Sequence, residues 1–91
     1  MLHFTKMRER SMKLSEAIAL RTKKLLVQKG ITMYKLEKIS TIPHGTMIDL
    51  MAGTYKSVNF RTIMLIIKAL EIKTSEFFND EIFESENLEI L

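Results

Sequence analysis

Cysteine is absent from these 91 residues. Its absence excludes a disulfide framework, a thiolate zinc site and a cysteine nucleophile together, and fits a reducing cytoplasm. Histidine is scarce too: His3 and His44 stand far apart. Neither has a paired carboxylate or a Gly-rich phosphate loop at a workable spacing, and Glu16, Glu37 and Asp49 are scattered, so no catalysis, metal or cofactor is expected. The longest unbroken aliphatic stretch, Ile63 to Ile67, has five residues, against the roughly 20 that a membrane-spanning helix needs. Met1 to Arg10 holds Lys6, Arg8 and Arg10, but no apolar run follows. A secretory start and a membrane partner are therefore not expected.

What is present suits one small domain. A chain of this length buries about 60 to 65 % of its unfolded surface around a single core. Hydrophobic residues make up 46 % and charged residues 27 %, the balance of an ordinary globular protein. The net charge of +3 conceals a gradient: residues 1 to 38 hold ten Lys or Arg against three Glu, and residues 39 to 75 four against two. Residues 76 to 91 hold six acids and no base. A basic body suits a polyanion, of which nucleic acid is the commonest, although a solvated surface would carry the same charges.

The apolar spacing predicts helices throughout. Met1 to Leu14 has no clear period and reads as an arm. From there Ala17, Ile18, Leu20, Arg21, Leu25 and Leu26 follow a helical period, with Ser15 as N-cap and Gly30 as stop. Thr32 caps a second helix, Met33 to Ile39, with Leu36 and Ile39 inward and Lys35 and Lys38 outward. In Ser40-Thr41-Ile42-Pro43 the proline, with no N–H and φ fixed near −65°, opens a third helix. That helix runs through Thr46, Met47, Leu50 and Met51 to Gly53. Asn59 caps a fourth, Phe60 to Leu70, the most aliphatic; Thr74 or Ser75 caps a last short one carrying Phe77 and Phe78. Five helices result and no strand is required. Met33, Met47, Met51 and Met64 fall at helix-period positions, as core filler does. Asp80 to Leu91 mixes acids with Ile82, Phe83, Leu88, Ile90 and Leu91 and reads as an acidic tail able to dock on a partner protein or a sister subunit. The expected division is an arm (1–14), a domain (15–79) and a tail (80–91).

From Ile31 to Phe78 the chain resembles the lambda-repressor-like family of helix-turn-helix regulators, also called the XRE family, of the Cro and phage-repressor type. Thr32 opens the second helix, Leu36 is its buried leucine, Ile42 the hydrophobe of the turn, and Met47 and Leu50 the inward positions of the third helix, which Gly53 closes. Phe60, Ile63, Met64, Ile67, Ala69, Leu70, Ile72, Phe77 and Phe78 match the family's core positions beyond. The resemblance implies an all-α, compact five-helix domain that binds double-stranded DNA as a transcriptional regulator, a repressor being the expected kind. Two helices joined by a tight turn let the first bridge the backbone while the second, residues 43–52, enters a major groove about 12 Å wide.

On that pattern Thr32, Lys35, Thr46, Lys56, Ser57, Asn59 and Arg61 meet phosphates. His44, Gly45, Ile48 and Asp49 face the bases, with Ala52 at the margin. His44 can bond a purine edge, Ile48 can touch a thymine methyl, and Asp49 can accept from a cytosine amino group while being repelled by phosphates. A homodimer on an inverted repeat is expected, because one short helix reads few base pairs and pairing sets two about 34 Å apart. The same fold also serves antitoxins and bridging factors, so a protein-interaction module is the rival reading. No aromatic stacking motif points to RNA.

Three departures from the family pattern stand out, the last of them a pair. Glu37 stands where alanine normally packs against the third helix, so its carboxylate must reach solvent or a cation. Thr41 replaces the usual turn glycine, and its Cβ makes a left-handed backbone costlier by roughly 1 kcal/mol. Leu26 and Met51 occupy the places of an arginine and a glutamate that pair in some relatives. Both have become apolar together, a change that is often neutral or stabilising.

Overall fold

Four of the described residues have a left-handed backbone, and each marks the end of a helix: Gly30, Thr41, Gly53 and Glu71. The computed structural model describes residues 12–54 and 58–89. In chain order the elements are β1 (Met12–Lys13), α1 (Leu14–Lys29), α2 (Met33–Ser40), α3 (His44–Ala52), α4 (Phe60–Ala69) and α5 (Thr74–Phe77), then two 3₁₀ turns (Glu81–Phe83 and Ser85–Asn87) and β2 (Leu88–Glu89). The expected arm before Met12, the phosphate candidates Lys56 and Ser57, and Ile90 and Leu91 lie outside the described residues.

Helix boundaries follow local chemistry. At Gly30, with φ +65, the next amide, Ile31 N–H, reaches back to the Leu26 carbonyl at 3.0 Å; Thr54 N–H does the same to Asp49 at 3.2 Å beyond Gly53. These bonds satisfy carbonyls that a helix end leaves without partners. At the N-termini, Thr32 Oγ1 accepts from Lys35 N–H at 3.1 Å and Asn59 Oδ1 from Thr62 N–H at 2.8 Å, as those residue types predict. Ser15 does not cap α1. The helix begins two residues earlier, at Leu14, with Lys13 as N-cap donating its N–H to Glu16 Oε1 at 2.8 Å. The Ser15 hydroxyl instead donates to the Gly53 carbonyl at 3.0 Å, tying the start of α1 to the end of α3. Nor does Thr74 or Ser75 cap α5: the N-cap is Lys73, with no side-chain bond.

The core lies among α1 to α5. α1 packs on α3 and α2 on α4, bringing Ile18, Leu25, Leu36, Met47, Leu50, Ile66, Leu70 and Phe77 to near-zero exposure. Leu26 and Met51 are both buried in this cluster, and Met33 and Met64 pack against it from the side. Three expected core residues are not in it, one of them Phe78, which is 36 % exposed at the C-cap of α5. Phe60 is 66 % exposed because it occupies the first position of α4, ahead of the buried stripe Ile63, Ile66 and Ile67. Ile39 is 45 % exposed, since the short α2 turns Leu36 and Ser40 inward and leaves Ile39 beside an open groove also lined by Ile31 and Leu70.

The segment after Phe78 folds back on α1. Phe83 joins Phe77 and Phe78 in a three-ring cluster, with centroids 5.0 to 6.1 Å apart and both contacts to Phe78 edge-on, a favoured aromatic geometry. Leu88 and Glu89 pair in parallel with Met12 and Lys13, a two-residue ladder that the helical reading of the chain does not anticipate. Glu81, Glu84, Glu86 and Glu89 stay exposed.

Candidate nucleic-acid interface

The turn between α2 and α3 is built from four residues with separate tasks. Ser40 is buried, and its Oγ accepts from Ile42 N–H at 3.2 Å. Thr41 takes the left-handed conformation, φ +63, and its N–H bonds the Glu37 carbonyl at 3.0 Å. Ile42, 4 % exposed, anchors the turn in the core. Pro43, at φ −60 and ψ 147, then sets the first residue of α3. The left-handed step therefore occurs at the position expected to need it, on a residue with a Cβ.

α3 divides cleanly into two faces. Met47, Leu50 and Met51 are buried against the core. His44, Gly45, Ile48, Asp49 and Ala52 are all exposed, and at 3.6 residues per turn they share an arc of about 140°. The four candidate base readers thus stand on one open surface. A Cβ added at Gly45 would meet no atom within 4 Å, so this glycine answers no packing demand of the described fold.

The phosphate candidates surround that face unevenly. Thr32, Lys35, Asn59 and Arg61 are exposed, whereas Thr46 is half-buried. Thr32 Oγ1 and Asn59 Oδ1 serve as cap acceptors, leaving the hydroxyl proton of Thr32 and the amide NH₂ of Asn59 as donors. Lys38 lies 5.1 Å from the centre of the exposed Tyr34 ring, within cation–π range.

The Cro/C1-type HTH DNA-binding domain family matches residues 21–81. The chain belongs to this family. No curated protein and no solved structure matches it.

A Cro/C1-type domain binds double-stranded DNA through its helix-turn-helix, and this chain is a DNA-binding protein of the regulator type. Among the described residues no group of three His, Cys, Asp or Glu could hold a metal ion, and no helix is long and apolar enough to cross a membrane.

Within this Cro/C1-type domain one pairing is not legible as such in the chain. Glu37 reaches across from α2 to His44 at the first position of α3, with Nδ1 3.0 Å from both carboxylate oxygens. The Glu37 side chain is 15 % exposed and the His44 ring 70 %. The need of a half-buried carboxylate for a cation or solvent is readable; which partner it finds depends on the crossing of α2 and α3. Other polar ties that sequence spacing does not reveal, from Ser15 to Gly53 and from Arg21 to Phe77, hold the frame on which this surface sits.

Proposed function

We propose that this Cro/C1-type domain is a sequence-specific transcriptional regulator, a repressor acting without catalysis in the cytoplasm, that binds a short inverted repeat as a homodimer. α3 lies in the major groove with His44, Gly45, Ile48 and Asp49 at base edges. Thr32, Lys35, Thr46, Lys56, Ser57, Asn59 and Arg61 meet phosphates and set the register. The observation that carries this reading is the outward face of α3: four adjacent exposed residues at the start of a helix whose opposite face is buried. Apart from His44, which meets Glu37, none of these side chains has a hydrogen bond among the described residues, and a groove of about 12 Å admits an α-helix.

The test is selection of bound sequences from a randomised duplex pool at two salt concentrations, with the full-length chain. A two-fold motif whose recovery weakens with salt is the expected result. Salt-dependent binding without any motif would overturn base reading. The rival reading, an antitoxin or other protein-interaction module on the same fold, draws support from the four exposed carboxylates Glu81, Glu84, Glu86 and Glu89 on the folded-back tail. On that reading the acidic surface, rather than the α3 face, engages the tightest partner.

A further inference from the structure

Glu37 stands on α2 seven residues ahead of His44, half-buried, with both carboxylate oxygens 3.0 Å from the His44 Nδ1. A carboxylate has no proton to give, so Nδ1 must be the donor. In a neutral imidazole one nitrogen carries the proton and the other accepts, and the bond made by the first decides the role of the second. With Nδ1–H committed to Glu37, Nε2 is the ring nitrogen left for a ligand, and in the neutral ring it is an acceptor, whereas in the imidazolium it would be a second donor. The ring is also restrained, because the two acceptor oxygens straddle Nδ1 at equal distance. Gly45 beside it has no side chain to compete for the space.

We propose that Glu37 is a positioning residue for recognition, which holds His44 as a hydrogen-bond acceptor and thereby selects a base with an exocyclic amino group. In the major groove only adenine N6 and cytosine N4 offer such a donor, while guanine shows two acceptors and thymine an acceptor and a methyl. His44 in this setting therefore disfavours guanine and thymine on the strand it reads. The inference rests on the proposal that α3 reads bases. Glu37 itself touches no DNA; it acts through the ring.

The test combines two measurements on the full chain. Nitrogen-15 NMR of the imidazole in the DNA complex reads the protonation of each ring nitrogen, and the expected result is a protonated Nδ1 with a bare Nε2. Sequence selection is then compared for the native protein, Glu37→Ala and Glu37→Gln. The native motif should contain one position per half-site restricted to adenine or cytosine. Glu37→Ala should reduce discrimination there by about fivefold to tenfold, the worth of one hydrogen bond, and leave the other positions intact. Glu37→Gln, whose amide oxygen can accept the same proton, should retain part of it. If Glu37 acted only through its charge, both variants would instead strengthen binding uniformly across sequences, and the proposal would fall. A protonated Nε2 in the complex, guanine at the position, or unchanged discrimination in both variants would also overturn it while leaving base reading in place. Absence of any native motif would overturn both.

Discussion

Arg21 donates its Nε to the main-chain carbonyl of Phe77 across 2.7 Å, although 56 residues separate them in the chain. The same guanidinium donates Nη2 to the Glu76 carbonyl at 2.7 Å and lies 3.4 Å from Asp80 through Nη1. Arg21 is 6 % exposed, so a single buried cation satisfies the end of α5 and binds the returning segment to α1. The planar fork of arginine suits this, offering several donors in a fixed geometry and remaining charged when buried.

Arg21→Ala should therefore cost about 2–4 kcal/mol, because it leaves the Glu76 and Phe77 carbonyls without their donor and removes one of the cations at Asp80, which keeps Lys24 and the Ile82 N–H. Arg21→Lys should recover only part, having one nitrogen for three acceptors. Urea unfolding of the three proteins checks this. Equal stability of native and alanine forms would mean that the bonds of Arg21 contribute nothing net to the fold.

Asp80 supplies a pH dependence. Burial pushes its carboxyl up, but the bond from Lys24 at 2.6 Å, the Ile82 N–H at 3.0 Å, and the charges of Lys24 and Arg21 outweigh it, so the group lies below its ordinary value of 3.8. A carboxyl depressed in the folded state adds stability that is present above the unfolded value and lost as pH falls through the folded one. The expected outcome is that Asp80→Asn is less stable than the native chain at neutral pH and that the gap closes as the pH drops below 3.8. Unfolding free energies measured from about pH 7 down to about pH 2.5, a range that spans the loss of carboxylate charge, test it; a gap constant with pH would refute it.

Backbone strain at the turn gives a pair of opposed predictions. Thr41→Gly should stabilise the domain by about 0.5–1 kcal/mol, because φ +63 disfavours a Cβ. Gly53→Ala should destabilise it by about 1–2 kcal/mol: φ is +73, and the new Cβ would lie 3.4 Å from both Cα and Cγ of Glu16. Thermal melts distinguish the two signs.

The recognition surface should separate affinity from selectivity. Arg61→Ala, removing an exposed cation next to the Asn59 cap, is expected to weaken DNA binding nearly uniformly across sequences and lower the salt slope by about 1. His44→Ala is expected to relax preference at one base position while leaving the salt slope close to native. Binding isotherms over a salt series, for the selected site and for a scrambled duplex, read both quantities. A uniform loss from both substitutions would remove the base-reading role of His44.

The local signals of this fold are legible in the amino acids themselves. Caps at Thr32 and Asn59, stops at Gly30 and Gly53 and the proline ahead of α3 each act within about four residues, so neighbouring residue types suffice to locate them. The period of Leu36, Met47, Leu50, Ile63 and Ile67 likewise identifies inward faces, and together these features define the helix-turn-helix and its outward residues. Periodicity fails at its edges. Phe60 and Ile39 have core-like chemistry but sit at helix margins, where rotation of the element decides whether a side chain meets the core or solvent.

The helical character of the chain, the stops of α1 and α3 and the outward side of α3 are thus legible in the amino acids alone, since these depend on backbone conformations available to individual residues and their near neighbours. The meeting of Glu37 with His44, the bond from Ser15 to the Gly53 carbonyl in place of a cap on α1, and the return of the acidic segment to the domain through Arg21 and Asp80 follow from the packing of the helices. Those contacts join different helices and turns. Carboxylates, hydroxyls and guanidinium groups can satisfy their bonds in many ways, and the fold selects one by bringing a particular partner within about 3 Å.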